Sequence, residues 1–294
     1  MKVSRMRTTV LPPFLLRKAE RKDKCMNMSD LIRSRRSVRT FDGTPLRKED
    51  ADRIMEFASK VENPFDIPIE WRLLDREKDH LSSPVITGTD SFIAGKMKRI
   101  SRAEEAFGYT FEKIVLFAES LGVGMTWIAG TMDRKAFEHA MGVSDNEVMP
   151  CVSPLGYPAG KMSLRETLMR KGVKADSRFD FEKLFFDGSF EKPLSEQNAG
   201  DYKFPLEMVR LGPSATNSQP WRIVLCKDKV HLYEKRSRGY GSDAWDVQKI
   251  DMGIAMCHFE LGAVECGLHP VFHVEDPCIP GAEGLTYIAS FLME

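Results

Sequence analysis

The chain has 294 residues, 42% hydrophobic and 29% charged, the make-up of a soluble globular protein long enough to bury a sizeable core. Lys+Arg and Asp+Glu balance at 43 each, so no global field steers it onto nucleic acid or an anionic membrane, and any bound anion must be held by a local cluster. No apolar run approaches the ~20 residues of a membrane span, and the six cysteines form no CxxC pair and no zinc-finger spacing with histidine, which places the protein in the cytoplasm without a metal.

Residues 1–28 carry a basic start and a short apolar stretch, Val10 to Leu16, broken by Pro12 and Pro13. A secretory signal wants a longer apolar region and a small-residue cleavage site. The segment therefore reads as a disordered basic extension, with Met26 and Met28 as alternative starts. Ala51, Ile54, Met55 and Ala58 then recur at helical spacing and predict a helix over 46–60. A second helix runs from Tyr109 to Leu121, apolar on most faces and so central, ending at Gly122-Val-Gly124. A third starts behind Asp133, a good N-cap, and stops at Gly142. Ser144 and Glu147 have the spacing of a capped turn. Val148 to Leu155 predicts a buried strand, closed by Gly156-Tyr157-Pro158.

Residues 161–203 are charged and weakly periodic and predict a connecting arm. A helix over 204–211 follows, then a hairpin: strand Trp221–Cys226, a turn at 227–229, and strand Val230–Tyr233. A long helix from Ile250 to Cys266 carries the stripe Met252, Ala255, Met256, Phe259 and Ala263, and Gly267 ends it. The strand Leu285–Met293 closes the chain. Two halves rhyme, 29–160 and 204–294: each has a Trp-Arg pair opening an apolar strand (Trp71-Arg72, Trp221-Arg222), and each has a long apolar helix ending in glycine.

Two motifs carry candidate chemistry. Arg35-Arg36-Ser37-Val38-Arg39-Thr40-Phe41 sets three guanidinium groups and a hydroxyl within five residues, and arginine binds phosphate through planar bidentate pairs. A solvated basic turn is the other reading. Gly212-Pro213-Ser214-Ala215-Thr216-Asn217-Ser218-Gln219-Pro220-Trp221 packs donors and acceptors into a proline-stiffened loop. It can line a polar ligand, or it can be a turn whose side chains cap the next element. Asp251-Met-Gly253 reads either as a site feature or, more simply, as a helix start with an acidic first turn. His258, on the long helix, reads as a satisfied core histidine. No GxGxxG follows a predicted strand, which excludes a Rossmann dinucleotide module.

Arg-Arg-Ser-Val-Arg-x-Phe, Pro-Ser-x-x-Asn-Ser-Gln-Pro-Trp, the Leu155-Gly-Tyr-Pro turn, and the helix 111–121 with Gly122-Val-Gly-Met-Thr-Trp127 together resemble the FMN-dependent nitroreductases over residues 29–294. The resemblance implies an α+β fold, an α/β/α sandwich of two related halves with mostly antiparallel sheets around long central helices. Members are usually homodimers that share each FMN between subunits. In this chain the first-half counterpart of the polar loop, Val61 to Trp71, has lost Ser, Asn and Gln at the matching places, while the intact loop lies in the second half. The sequence is therefore most similar to the single-chain nitroreductases in which two halves fuse into a pseudo-dimer, whether monomer or homodimer overall.

By that resemblance Arg35 and Ser37 hold the FMN phosphate, and Arg39 reaches the ribityl chain or the pyrimidine edge as an electrostatic stabiliser. Pro213, Ser214, Ala215 and Asn217 line the opposite wall. Leu155, Gly156 and Tyr157 pass the ring, and Lys161 and Arg165 are further phosphate candidates. The implied activity is ping-pong electron transfer from NAD(P)H through FMN to a flat, electron-poor small molecule such as a nitroaromatic or quinone, with no protein acid needed. The alternative is a protein that holds or senses FMN with little turnover.

Overall fold

The computed structural model describes residues 27–237, 239–240 and 245–294; the expected N-terminal extension, apart from Asn27 and Met28, and Cys25 lie outside them. Helix α1 (Met28–Ser34) opens at Asn27, whose N–H donates to Asp30, and delivers the chain to Arg35. Helix α2 (Lys48–Lys60) matches its apolar spacing and buries Ile54, Phe57 and Ala58. The first sheet then begins with β1 (Glu70–Asp75) and β2 (Ser91–Lys98), paired antiparallel.

Helix α3 (Ala103–Ser120) starts six residues before the expected Tyr109, because Gly108 lies within it rather than breaking it. Helix α4 (Arg134–Met141) is bounded as its caps dictate: the Asp133 side chain accepts from the Ala136 N–H, and Gly142 closes it with a left-handed backbone. The expected strand 148–155 is two short pieces, β3 (Glu147–Val148) and β4 (Val152–Leu155), each paired antiparallel with β2. The Ser144–Glu147 turn forms, with the Glu147 carboxylate accepting from both the N–H and the hydroxyl of Ser144.

The stretch expected as an arm has structure of its own: α5 (Leu164–Gly172), α6 (Phe181–Leu184) and β5 (Phe185–Asp187). Strand β5 joins a second sheet, parallel to β6 (Trp221–Cys226), so part of the arm is sheet edge. Helix α7 (Lys203–Leu211) precedes β6, and β7 (Lys229–Glu234) completes the expected hairpin. Helix α8 (Val247–Glu265) leads to β8 (Pro270–His273) and β9 (Thr286–Met293). The second sheet has the order β5-β6-β7-β9-β8, antiparallel except at β5.

Strand pleat sorts the core. On β2, Ile93 and Met97 face α2 and α3, while Phe92 and Ala94 face α4. On β6 and β7, Trp221, Ile223, Val230 and Leu232 face α7 and α8. The long helices α3 and α8 lie between the two sheets and touch both cores, with Tyr109 and Leu116 in one and Ile250 in the other. Their close approach needs glycine. A Cβ on Gly108 would stand 2.0 Å from the Ile250 carbonyl oxygen, and one on Gly253 2.1 Å from that of Glu105. Mostly antiparallel sheets around long central helices give the expected α+β class.

Candidate functional site

Residues 37–41 run extended, as the first motif requires. Ser37 bridges Met125, Thr40 bridges Thr87 and Phe41 bridges Pro158, with the Val38 N–H donating to the Met125 carbonyl at 3.0 Å. The Leu155–Pro158 turn lies alongside: the Asp42 N–H donates to the Tyr157 carbonyl at 3.0 Å, and the Gly124 N–H to that of Gly156 at 2.8 Å. First motif and turn thus share one backbone layer. The Tyr157 side chain points away from it, its hydroxyl donating to Asp50 and accepting from Arg47.

Arg35 is buried, and its Nε and Nη1 have no hydrogen-bond partner among the described residues. Its nearest anion is Glu112 on α3, 3.7 Å from Nε; the Glu112 side chain is fully buried, while that of Arg35 is 7% exposed. Glu112 in turn accepts from the Trp127 indole at 3.2 Å and contacts His258 Nε2 at 3.0 Å. A buried cation with orphaned donors is costly unless an acceptor is brought to it.

Around it stand further arginines. Burial lowers the Arg178 guanidinium below its ordinary value, and Arg35 and Arg210 push it further. Burial lowers Arg39 as well, opposed by Glu166 and assisted by Arg170. Glu166, on α5, is fully buried; it pairs with Arg36 at 2.9 Å and accepts from the Arg39 N–H at 3.3 Å. Its position three residues after the N-cap Ser163 suits a capping box, yet its carboxylate turns to the first motif instead.

The second motif meets the same region. Arg178 donates to the Leu211 carbonyl at 3.1 Å, just before Gly212-Pro213. The Asn217 amide donates to the carbonyls of Lys174 and Ser177, at 2.8 and 3.0 Å. A Cβ on Gly212 would lie 3.6 Å from His258 Nδ1, so the loop passes beside His258, which contacts Glu112, the anion next to Arg35. Thr216, Asn217 and Gln219 all have left-handed φ, 47°, 60° and 47°. Ser214 Oγ accepts from the Gln219 N–H at 2.9 Å, and the Ala215 N–H donates to both oxygens of Asp251 at 3.1 Å. Much of the loop's polarity therefore maintains its own strained shape.

Asp251 corrects the simpler reading of its region. The helix start belongs to Asp246, which caps α8 by accepting from the Gln248 N–H at 3.0 Å. Asp251 lies a turn further in, buried under the loop it fixes, and that burial raises its carboxyl well above the usual range. His258 has both ring nitrogens partnered, as expected of a core histidine. Of the further phosphate candidates, Lys161 is exposed and Arg165 donates to the Pro84 carbonyl, while Arg170 and Arg178 bring positive charge close to Arg39 and Arg35. Their signal was hidden in a stretch read as an arm.

The first-half counterpart, Val61–Trp71, borders a cleft of about 470 Å³ that includes Glu62 and Asp66. Its Asn63 bonds only within the segment, to Phe65 and Ile67. Among the described residues no group of His, Cys, Asp and Glu is arranged to hold a metal ion, and the five cysteines are unpaired. No helix among them is long and apolar enough to cross a membrane.

Two layers of mostly antiparallel sheet around paired helices, with an arginine-rich extended segment facing a polar loop, define a nitroreductase-type fold. The family model described as "Putative TM nitroreductase" matches residues 27–263, and the chain belongs to that family. It is similar in structure to a putative nitroreductase from Thermotoga maritima, with a TM-score of 0.59 at 21% identity, covering 94% of this chain and 97% of that one. Smaller likenesses include an FMN-dependent nitroreductase from Clostridium difficile (TM-score 0.40, 17% identity, 45% of this chain and 88% of that one). Another is a putative NADH dehydrogenase/NAD(P)H nitroreductase from Bacteroides thetaiotaomicron (0.40, 23%, 46% and 89%). No curated protein matches the chain.

Proposed function

We propose that the protein is an FMN-dependent oxidoreductase with one flavin site per chain, set between an Arg35–Arg39 wall and a Pro213–Asn217 wall. The observation that carries this reading is buried Arg35, whose Nε and Nη1 lack partners while Arg178 adds a second positive charge nearby. Such a pair is poised for a phosphate monoester. Ser37, half-buried on the same extended segment, adds a hydroxyl donor. Backbone groups of Leu155, Gly156 and Tyr157 border the same layer, and Ser214, Ala215 and Asn217 present the loop that Asp251 holds rigid.

Bound FMN supplies hydride-accepting and hydride-donating chemistry, here between NAD(P)H and a flat, electron-poor acceptor such as a nitroaromatic or quinone, in ping-pong order. The chain's own part is to bind, orient and tune. Arg39, half-buried and opposed by Glu166, would offer positive charge to the pyrimidine edge. The Val61–Trp71 cleft, bordered by Glu62 and Asp66 instead of arginine, disfavours a second phosphate and supports one site per chain. Arg35→Ala tests the reading: it should release FMN from the purified protein, and unchanged affinity would remove Arg35 from the site.

A further inference from the structure

His258 has a second consequence, which follows from its proton count. Nδ1 lies 2.8 Å from the Met208 carbonyl oxygen, and Nε2 lies 3.0 Å from a Glu112 oxygen. A carbonyl only accepts, so Nδ1 carries a proton. A close contact between Nε2 and a carboxyl oxygen requires another proton between them. Wherever that proton resides, the His258–Glu112 pair has no net charge. Arg35, 3.7 Å from the same Glu112 oxygen, then keeps its positive charge uncancelled. The nearby charges Lys113 on α3 and Glu260 on α8 pair with each other at 3.3 Å. Trp127, the remaining donor to Glu112, is neutral.

We propose that His258 is a positioning residue for anion binding: the proton it shares with Glu112 leaves that pair without net charge and Arg35 free to hold a phosphate monoester. The proposal rests on the flavin reading of the site. It makes α8, from the second half of the chain, a determinant of the electrostatics of a motif in the first half. His258 does not touch the ligand; it acts through Glu112.

The test compares FMN with riboflavin, which lacks the phosphate, by flavin fluorescence titration near neutral pH, with circular dichroism melts confirming each fold. In His258→Gln, Glu112 cancels Arg35, so FMN affinity should fall about tenfold or more while riboflavin affinity stays within about twofold. Glu112→Gln removes the carboxylate that would cancel Arg35 and should bind FMN more tightly than H258Q does. The double variant E112Q/H258Q, with the carboxylate removed, should return to within about threefold of wild type. A merely structural histidine gives no such recovery. Undiminished FMN affinity in H258Q, a double variant as weak as H258Q, or equal loss for riboflavin overturns the proposal. If H258Q does not fold, E112Q and E112Q/H258Q are compared: equal FMN affinity supports the proposal and a further loss overturns it. A wild-type protein that binds neither flavin instead removes the flavin reading itself.

Discussion

Asp251, buried one turn inside α8, accepts the Ala215 backbone N–H on both carboxyl oxygens at 3.1 Å. One side chain of a central helix thereby fixes the strained loop that forms one wall of the proposed flavin site. Asp251→Leu leaves that N–H without its partner and should cost about 1–3 kcal/mol of stability, with FMN binding weakened about tenfold. Asp251→Asn keeps an acceptor and should lose far less. Urea unfolding and flavin titration of the two variants check this.

The arginine pair gives a sharper expectation. In the proposed site, Arg35→Ala and Arg178→Ala would each remove one charge-assisted contact to the FMN phosphate, worth ~1.5–3 kcal/mol or tens-fold in FMN affinity. Riboflavin should be nearly indifferent to both. Arg165→Ala, whose guanidinium turns to Pro84, should leave FMN affinity unchanged. Isothermal titration with the two flavins separates these outcomes.

The helix crossing should tolerate no added carbon. At Gly108 and Gly253 a Cβ would fall 2.0 and 2.1 Å from backbone oxygens of the opposite helix. Backbone cannot move aside as a flexible side chain can, so Gly108→Ala and Gly253→Ala should each destabilise by about 1–3 kcal/mol or more through overpacking. Gly122→Ala, at a helix end with open space, has only a left-handed φ of 73° to overcome and should cost less. Thermal melts rank the three.

A pH effect follows from Glu234 at the end of β7. Burial, with Asp246 adding repulsion, raises its carboxyl to about 7. The folded state therefore holds a proton that the unfolded chain releases near pH ~4.3. Its contribution is fully present below that lower value and is lost as pH rises through about 7. Glu234→Gln should flatten the Tm-versus-pH curve across that window and raise Tm on its alkaline side. An unchanged curve would show that another group titrates there.

Local chemistry made several elements legible. Asp133 and Gly142 bounded α4, and the tight turn at Lys227-Asp228-Lys229 between two apolar runs marked the β6–β7 hairpin. Strand β2 escaped notice because Gly95 and Lys96 interrupt its apolar run. Both interruptions have tertiary causes: Trp71 packs over Gly95, and buried Lys96 pairs with Glu147 at 3.0 Å. Strand β5 is three residues long and exists through parallel pairing with β6, a contact no local pattern encodes. At the site, the arginine motif and the polar loop were readable as strings. Glu112, Arg170 and Arg178 were not, since their relevance depends on which helix or arm folds against Arg35.

The most direct measurement is the visible absorbance of the purified chain after incubation with FMN, recorded anaerobically before and after NADH or NADPH. A flavin oxidoreductase predicts flavin bands in stoichiometric amount that bleach rapidly on adding the reductant, and that are absent in Arg35→Ala. Retained bands that do not bleach would mark a flavin-holding protein without turnover. A colourless protein that takes up no FMN would contradict the flavin site itself.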